Sequence, residues 1–282
     1  MIYLVWVAVF FCIAGALALL FDERMEYCLA PALCGGILLL YLFGLFGLLK
    51  PGLAAVALCG VVSAGYCLVR CVHGRTLFLR QWLTPAMLLA LIGVAYIAWV
   101  QRGRLVMGND EFSHWAVTVK MMTHLDALSI TQPDRMHFPE YPPATALLEY
   151  LFVRFTPNFT EGYLYRALNL LQLSLLVPYL GRFNLRRFGL ACAGMGALFL
   201  LPLAFYGEFY TDLCVDGVLA LLFAWTLFGW FGRRKRDKFA ALWVTLGCAA
   251  LTLTKSSGFA LALIALALIV GLHAPAHGGA GP

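Results

Sequence analysis

Apolar runs recur along this chain, most of them close to the roughly 20 residues needed to cross a hydrocarbon layer of about 30 Å. They occupy 2–21, 29–49, 53–69, 82–100, 163–180, 190–206, 213–231, 239–253 and 259–270. A segment in lipid has no water to satisfy its backbone, so such runs fold as helices that close their own hydrogen bonds. Composition agrees: 62% of the 282 residues are hydrophobic and 12% charged, against about half and about a quarter in a soluble domain. The expected fold is all-α, a polytopic membrane protein with about nine transmembrane helices. The first run has no basic leader or small-residue cleavage site and reads as a retained helix rather than a signal peptide. The nine cysteines lie in or beside apolar runs without CxxC or zinc spacing, which predicts small helix-facing residues and no structural disulfide. No Rossmann fingerprint, P-loop or internal repeat occurs.

The longest polar break covers 102–160 and opens on MGNDEFSHWAVTVK, residues 107–120. Asn109 is placed as an N-cap, with Asp110 and Glu111 in the first turn behind it. Phe112, Trp115, Val119 and Met122 then recur at helical spacing, which predicts a short amphipathic helix on the membrane surface from 111 to about 125. Pro133 and Pro139 mark a loop. Pro142 and Pro143 start a second surface helix over 144–155, because proline suits a first turn. The organisation is three N-terminal spans (1–81), a membrane module with the outer loop (82–272) and a Gly/Ala/Pro/His-rich tail (273–282) expected to lack structure.

Charge sets the orientation. If loops alternate between the two sides, the set 22–28, 70–80, 182–187 and 232–238 carries 12 of the 20 Lys and Arg residues. The other set carries 10 of the 14 acidic residues. The positive-inside rule places the first set in the cytoplasm. It also accounts for the net charge of +6 by anchoring, without a nucleic-acid partner. The break, Glu208, Asp212, Asp216 and Lys255 then share the outer face, and this common side argues for one site.

Each candidate carries two readings. Asp110 and Glu111 stay ionised near a helix N-terminus; they are either a base for an acceptor hydroxyl or amine or an ordinary acidic first turn. His114, one turn on, is an acid/base partner or a local hydrogen-bonding residue. Trp115 is an interfacial anchor or a platform for a sugar ring. Lys120 is a ligand contact or a solvated lysine. The prolines after Tyr141 hold it and Glu140 at the membrane surface. Arg166 and Lys255 lie near ends of apolar helices, where cations either mark ligand sites or snorkel to headgroups. Asp212 and Asp216, four apart, bind a divalent cation with Asp110 or Glu111, or line a wet vestibule.

Four of these places resemble the GT-C superfamily of membrane glycosyltransferases, which includes the bacterial protein mannosyltransferase and aminoarabinose transferase types. They are the DEFSHWAVTVK start directly after a span, the FPEYPP segment (138–143) leading into ALLEYLF, the YRALN segment (165–169), and the lone Lys255 ahead of a glycine-containing helix. The resemblance covers about 82–270. It implies an inverting enzyme of a bacterial plasma membrane that takes a polyprenyl-phosphate-linked sugar and passes it to a glycan, lipid or protein acceptor at the extracytoplasmic face. Asp110 would be the base, assisted by Glu111. Lys120, Arg166 and Lys255 would hold the lipid phosphate. A transporter or flippase of lipid-linked sugars is the competing expectation.

Overall fold

The computed structural model describes residues 2–73, 81–131, 138, 140–233 and 236–272. Arg75, Arg80, Pro133, Pro139, Arg234, Lys235 and the tail fall outside them. Eleven α-helices and no strand occur among the described residues: α1 Ile2–Phe21, α2 Met25–Leu45, α3 Leu49–His73, α4 Pro85–Val100, α5 Ala116–Leu125, α6 Ala144–Val153, α7 Gly162–Leu176, α8 Phe188–Phe205, α9 Asp216–Phe231, α10 Lys238–Thr254 and α11 Ser256–Gly271. Four stretches are long and apolar enough to cross a membrane: Ile2–Phe21, Met25–Leu45, Leu49–Val72 and Leu185–Phe205. Five further helices of the bundle have 15–17 residues, at the lower edge of spanning length, and the apolar α6 has 10.

Several boundaries move from their expected places for local reasons. Helix α2 starts at Met25, so Pro31 sits inside it; the early turn is held by Glu26, fully buried, which accepts a hydrogen bond from Thr84 Oγ1 at 2.9 Å. The turn between α2 and α3 falls at Gly47, whose φ of +68° favours glycine. Lys50, Pro51 and Gly52 belong to the first turn of α3, where proline needs no donor. Thr84 caps α4 by accepting from Met87 N at 3.1 Å, with Pro85 at the first helical position. Helix α7 tightens into a 3₁₀ turn, Val177–Leu180, at Pro178.

Helix α2 is the hub. It packs against α1, α3, α4, α6, α7 and α10 and is buried nearly all round, as a helix apolar on every face should be. Helices α9, α10 and α11 form a mutually packed trio, with Trp225 and Trp243 stacked 4.6 Å apart at its centre. Helix α8 is peripheral; Ala191 is its one buried residue.

The largest departure from expectation concerns α6. It is not a surface helix: all ten of its residues are buried, between α2, α5 and α7. Its sequence, ATALLEYLFV, is apolar on every side except Glu149, so it satisfies itself best inside the bundle. Helix α5 keeps one buried face, Ala116, Thr118, Val119 and Met122, laid against α6.

Polar contacts gather at two opposite ends of the bundle. At one end, Gln81 reaches Asp22, Arg24 reaches the Gly181 carbonyl, and Arg233 pairs with Glu23. At the other end lie the 101–111 segment, the start of α7, the 206–216 segment and Lys255.

Candidate functional site

The site starts from a buried polar lattice where the C-terminal end of α4 meets the first half of α7. Gln101 donates to Asn169 Oδ1 at 2.8 Å and to the Tyr210 carbonyl at 2.9 Å. Asn169 donates to Gln172 Oε1 at 2.9 Å and to the same carbonyl at 3.2 Å. Gln172 donates to the Phe209 carbonyl at 3.2 Å. Three side chains on two helices thereby fix a loop that has no secondary structure of its own. Gly162 allows the start of α7 to close on α4; a Cβ there would stand 2.5 Å from the Gln101 carbonyl. Asn169→Leu is expected to destabilise the fold by about 1–3 kcal/mol, because it strands buried partners. Thermal unfolding in detergent checks the loss, and limited proteolysis near 206–215 checks where it acts.

Glu111 ties three segments together. Its Oε2 accepts from Met107 N at 3.0 Å and Gly108 N at 2.8 Å. Its Oε1 accepts from Tyr165 Oη at 2.8 Å and Leu213 N at 2.9 Å. With 3% exposure and four donors, this carboxylate is a structural anchor. It therefore does not share the role of Asp110. The local backbone explains the split. Residues Glu111–Trp115 form a π-turn, in which the Ala116 N–H bonds back to the Glu111 carbonyl. The extra residue in that turn changes the relation of side chains that α-helical spacing would stack, and such turns recur at functional sites.

Asp110 is exposed and makes no side-chain hydrogen bond or ion pair among the described residues. It lines a cavity of about 460 Å³ with Arg104, Tyr206, Glu208, Asp212 and Cys214. Asp212 accepts a hydrogen bond from Tyr206 Oη and another from Cys214 N at 2.9 Å. The hydrogen bond to Asp212 holds the Tyr206 phenol well above its ordinary pKa. Burial, then the bond to Asp212, pushes the Cys214 thiol up to about 12, so the group is a thiol and not a thiolate at neutral pH. Arg104 donates to the Thr211 carbonyl at 2.6 Å and faces the Tyr165 ring at 4.9 Å. Its buried Nε has no hydrogen-bond partner.

Cys214 links this cavity to the second half of the site, since it lies within electrostatic reach of both Asp110 and Lys255. Lys255 occupies the extended break between α10 and α11 (φ −159°, ψ 155°). It donates to Asp216 Oδ1 at 2.7 Å and stands 5.9 Å from the Tyr141 ring centre. The bond to Asp216 raises the Lys255 pKa, keeping the ammonium charged. Asp216 is largely exposed, so this pair is a weak one that a ligand anion can replace. Tyr141 stacks on Trp115 at 5.8 Å and on Phe138 at 5.1 Å, with His114 edge-on to it at 5.1 Å. His114 is buried within this aromatic group.

Two neighbouring groups result, on either side of Cys214: Asp110 with Asp212 in the cavity, and Lys255 with Asp216, Tyr141 and Trp115. Three expected members do not join them. Arg166 donates to the Ala98 carbonyl at 2.9 Å and lies over the Tyr163 ring at 4.8 Å. Lys120 lines a different cavity beside Phe159. Glu140 is exposed and borders a groove of about 330 Å³ with Tyr41, Ser129 and Thr252. The cation grouping considered for Asp212 and Asp216 is not assembled either. Among the described residues no three His, Cys, Asp or Glu side chains form a metal-holding set: Asp216 faces Lys255, and Glu111 has both oxygens occupied.

Arg104, Tyr206 and Cys214 are members that sequence reasoning passed over, and so is the burial of Glu149 in α6. Arg104 reads as a basic flank of α4. Glu149 reads as one more acid of the outer loop, yet it is 2% exposed. Burial, and secondarily Glu111, raises its pKa well above the usual carboxylate range. Comparison of the chain with family models, characterised proteins and solved structures gives no match.

Proposed function

We propose that this protein is an inverting membrane glycosyltransferase that takes its sugar from a polyprenyl-phosphate donor. The observation that supports this reading best is Asp110, unpaired among the described residues in a cavity that also holds Arg104, with Lys255 and Tyr141 grouped on the other side of Cys214. An acceptor O–H at Asp110 would give up its proton to the carboxylate. The freed oxygen attacks the anomeric carbon, the bond from that carbon to the phosphate oxygen breaks, and the electron pair leaves with the phosphate. Direct displacement inverts the anomeric centre. Lys255 and the Arg104 guanidinium, which lines the cavity, are the cations that would meet the departing phosphate, and such electrostatic stabilisation would be the main contribution. Trp115 and Tyr141 offer stacked faces to a sugar ring. In this reading nine helices (α1–α4 and α7–α11) span a bacterial plasma membrane, with the site on the outer side. The bilayer, the lipid-linked donor and a glycan, lipid or protein acceptor are its partners.

A transporter of lipid-linked sugars is the second reading, and the break at Lys255 favours it, since broken helices build transport sites. Purified protein in proteoliposomes with a panel of polyprenyl-phosphate sugars separates the two. The transferase forms a glycosylated acceptor and releases lipid phosphate. A transporter moves intact donor across the bilayer without forming product.

Orientation is tested on its own. In a cysteine-free background, Thr160→Cys is expected to react with an impermeant maleimide from outside the cell. Arg236→Cys should react only after permeabilisation. Both positions are exposed. Reversed labelling would place the acidic cavity in the cytoplasm and remove the lipid-linked donor from consideration.

A further inference from the structure

A second cavity, of about 500 Å³, lies between α5 and the C-terminal end of α6. It is within the size range of ligand sites. Its polar lining includes Lys120, His124 and Arg154 and no carboxylate; Met121, Val153 and Phe159 are part of its apolar wall. Lys120 and His124 are four apart on α5 and so share one face. The Lys120 ammonium makes no ion pair among the described residues and stands 6.0 Å from the Phe159 ring centre. Arg154 is fixed in place: Asp126 accepts from its Nε at 2.5 Å and its Nη2 at 2.8 Å, and also from Tyr150 Oη at 2.8 Å. The bond from Arg154 holds the Asp126 carboxyl below its ordinary pKa, so this clamp persists at neutral pH. Leu125 of the lining and Phe155, next to Arg154 in the chain, are exposed, at 40% and 51%, and so offer apolar surface to an acyl chain.

We infer that this cavity is a binding site for the headgroup of an anionic phospholipid. Cations facing an apolar wall recognise a phosphodiester that carries hydrocarbon, and the wall has nothing to offer a free phosphate ion. The site lies on α5, which continues the π-turn Glu111–Trp115, with Asp110 at the residue just before that turn. Lipid held there steadies the helix that follows Asp110 and Trp115. The inference rests on the cavity and its charges, and it stands whether the outer site transfers sugar or not.

The test uses the full chain purified in a zwitterionic detergent and measures retained lipid by native mass spectrometry. The probes are phosphatidylglycerol, phosphatidylcholine, inorganic phosphate and a polyprenyl monophosphate. Phosphatidylglycerol should be retained in preference to phosphatidylcholine. Lys120→Gln should weaken that preference about fivefold, the effect of one basic residue near a charged surface, and Lys120→Glu should weaken it further. Lys120 is exposed, so both variants should fold, and unchanged thermal unfolding confirms it. Equal retention of the two phospholipids, or a preference indifferent to Lys120→Glu, overturns the inference. Displacement of phosphatidylglycerol by millimolar inorganic phosphate overturns the lipid as ligand. Displacement by equimolar polyprenyl phosphate reassigns the cavity to the lipid-linked substrate and equally overturns it.

Discussion

Asp110→Asn is expected to lower single-turnover sugar transfer by about 10²–10⁴-fold, the usual contribution of a general base, while donor binding survives. The side chain keeps its size and remains able to accept a hydrogen bond. No contact inside the protein depends on its charge, because the carboxylate is exposed and unpaired among the described residues. Unfolding should therefore be unchanged. Lys255→Ala should behave differently. It removes a cation that would meet both bound and departing phosphate, so donor affinity and the rate of transfer should fall together. The measurements are equilibrium binding of a polyprenyl-phosphate sugar and single-turnover transfer, at matched expression. Transfer by Asp110→Asn within a fewfold of the parent would remove Asp110 as the base. Glu111 has both oxygens occupied, so the role would pass to Glu208 of the same cavity, and near-parental transfer by Glu208→Gln as well would overturn the transferase reading.

Glu111→Gln is expected to act through the fold rather than the chemistry, at a cost of about 2–4 kcal/mol. Its carboxylate accepts from four donors: the backbone N–H groups of Met107, Gly108 and Leu213, and the Tyr165 hydroxyl. An amide cannot serve this cage in either orientation. Turned one way, its NH₂ faces two backbone N–H groups; turned the other, it faces the Leu213 N–H and forces the Tyr165 hydroxyl to accept. The charge that strengthens all four bonds is lost as well. Thermal unfolding should shift down, and the 106–108 and 213–216 segments should become open to protease. Donor binding should be lost along with transfer, which separates this variant from Asp110→Asn. A Glu111→Gln protein with parental stability and lost turnover would mean that Glu111 takes part in the reaction itself.

These two adjacent carboxylates show what sequence can and cannot separate. Both follow Asn109 and both read as acids of a first helical turn. Their difference comes from a π-turn of five residues and from partners 54 and 102 positions away in the chain. Periodicity cannot supply either. The same holds for Arg166 and Lys255, each a cation near the end of an apolar run. Lys255 falls in an extended break facing Tyr141 and Asp216, whereas Arg166 points back onto Ala98 and Tyr163. Helix rotation decides that, and rotation is set by packing.

What the sequence determined by itself is the helical class and the order and approximate extent of the apolar helices. These follow from local chemistry: hydrocarbon-length apolar runs satisfy their backbone only as helices. The tertiary structure alone decided that α6 is core rather than surface, because ten apolar-rich residues fit either a membrane interface or a bundle interior. It alone brought Arg104, Cys214 and Tyr206 to Asp110, and it alone sent Lys120 to a separate cavity. Those outcomes depend on which helix faces meet, and that is a property of the whole chain packed at once.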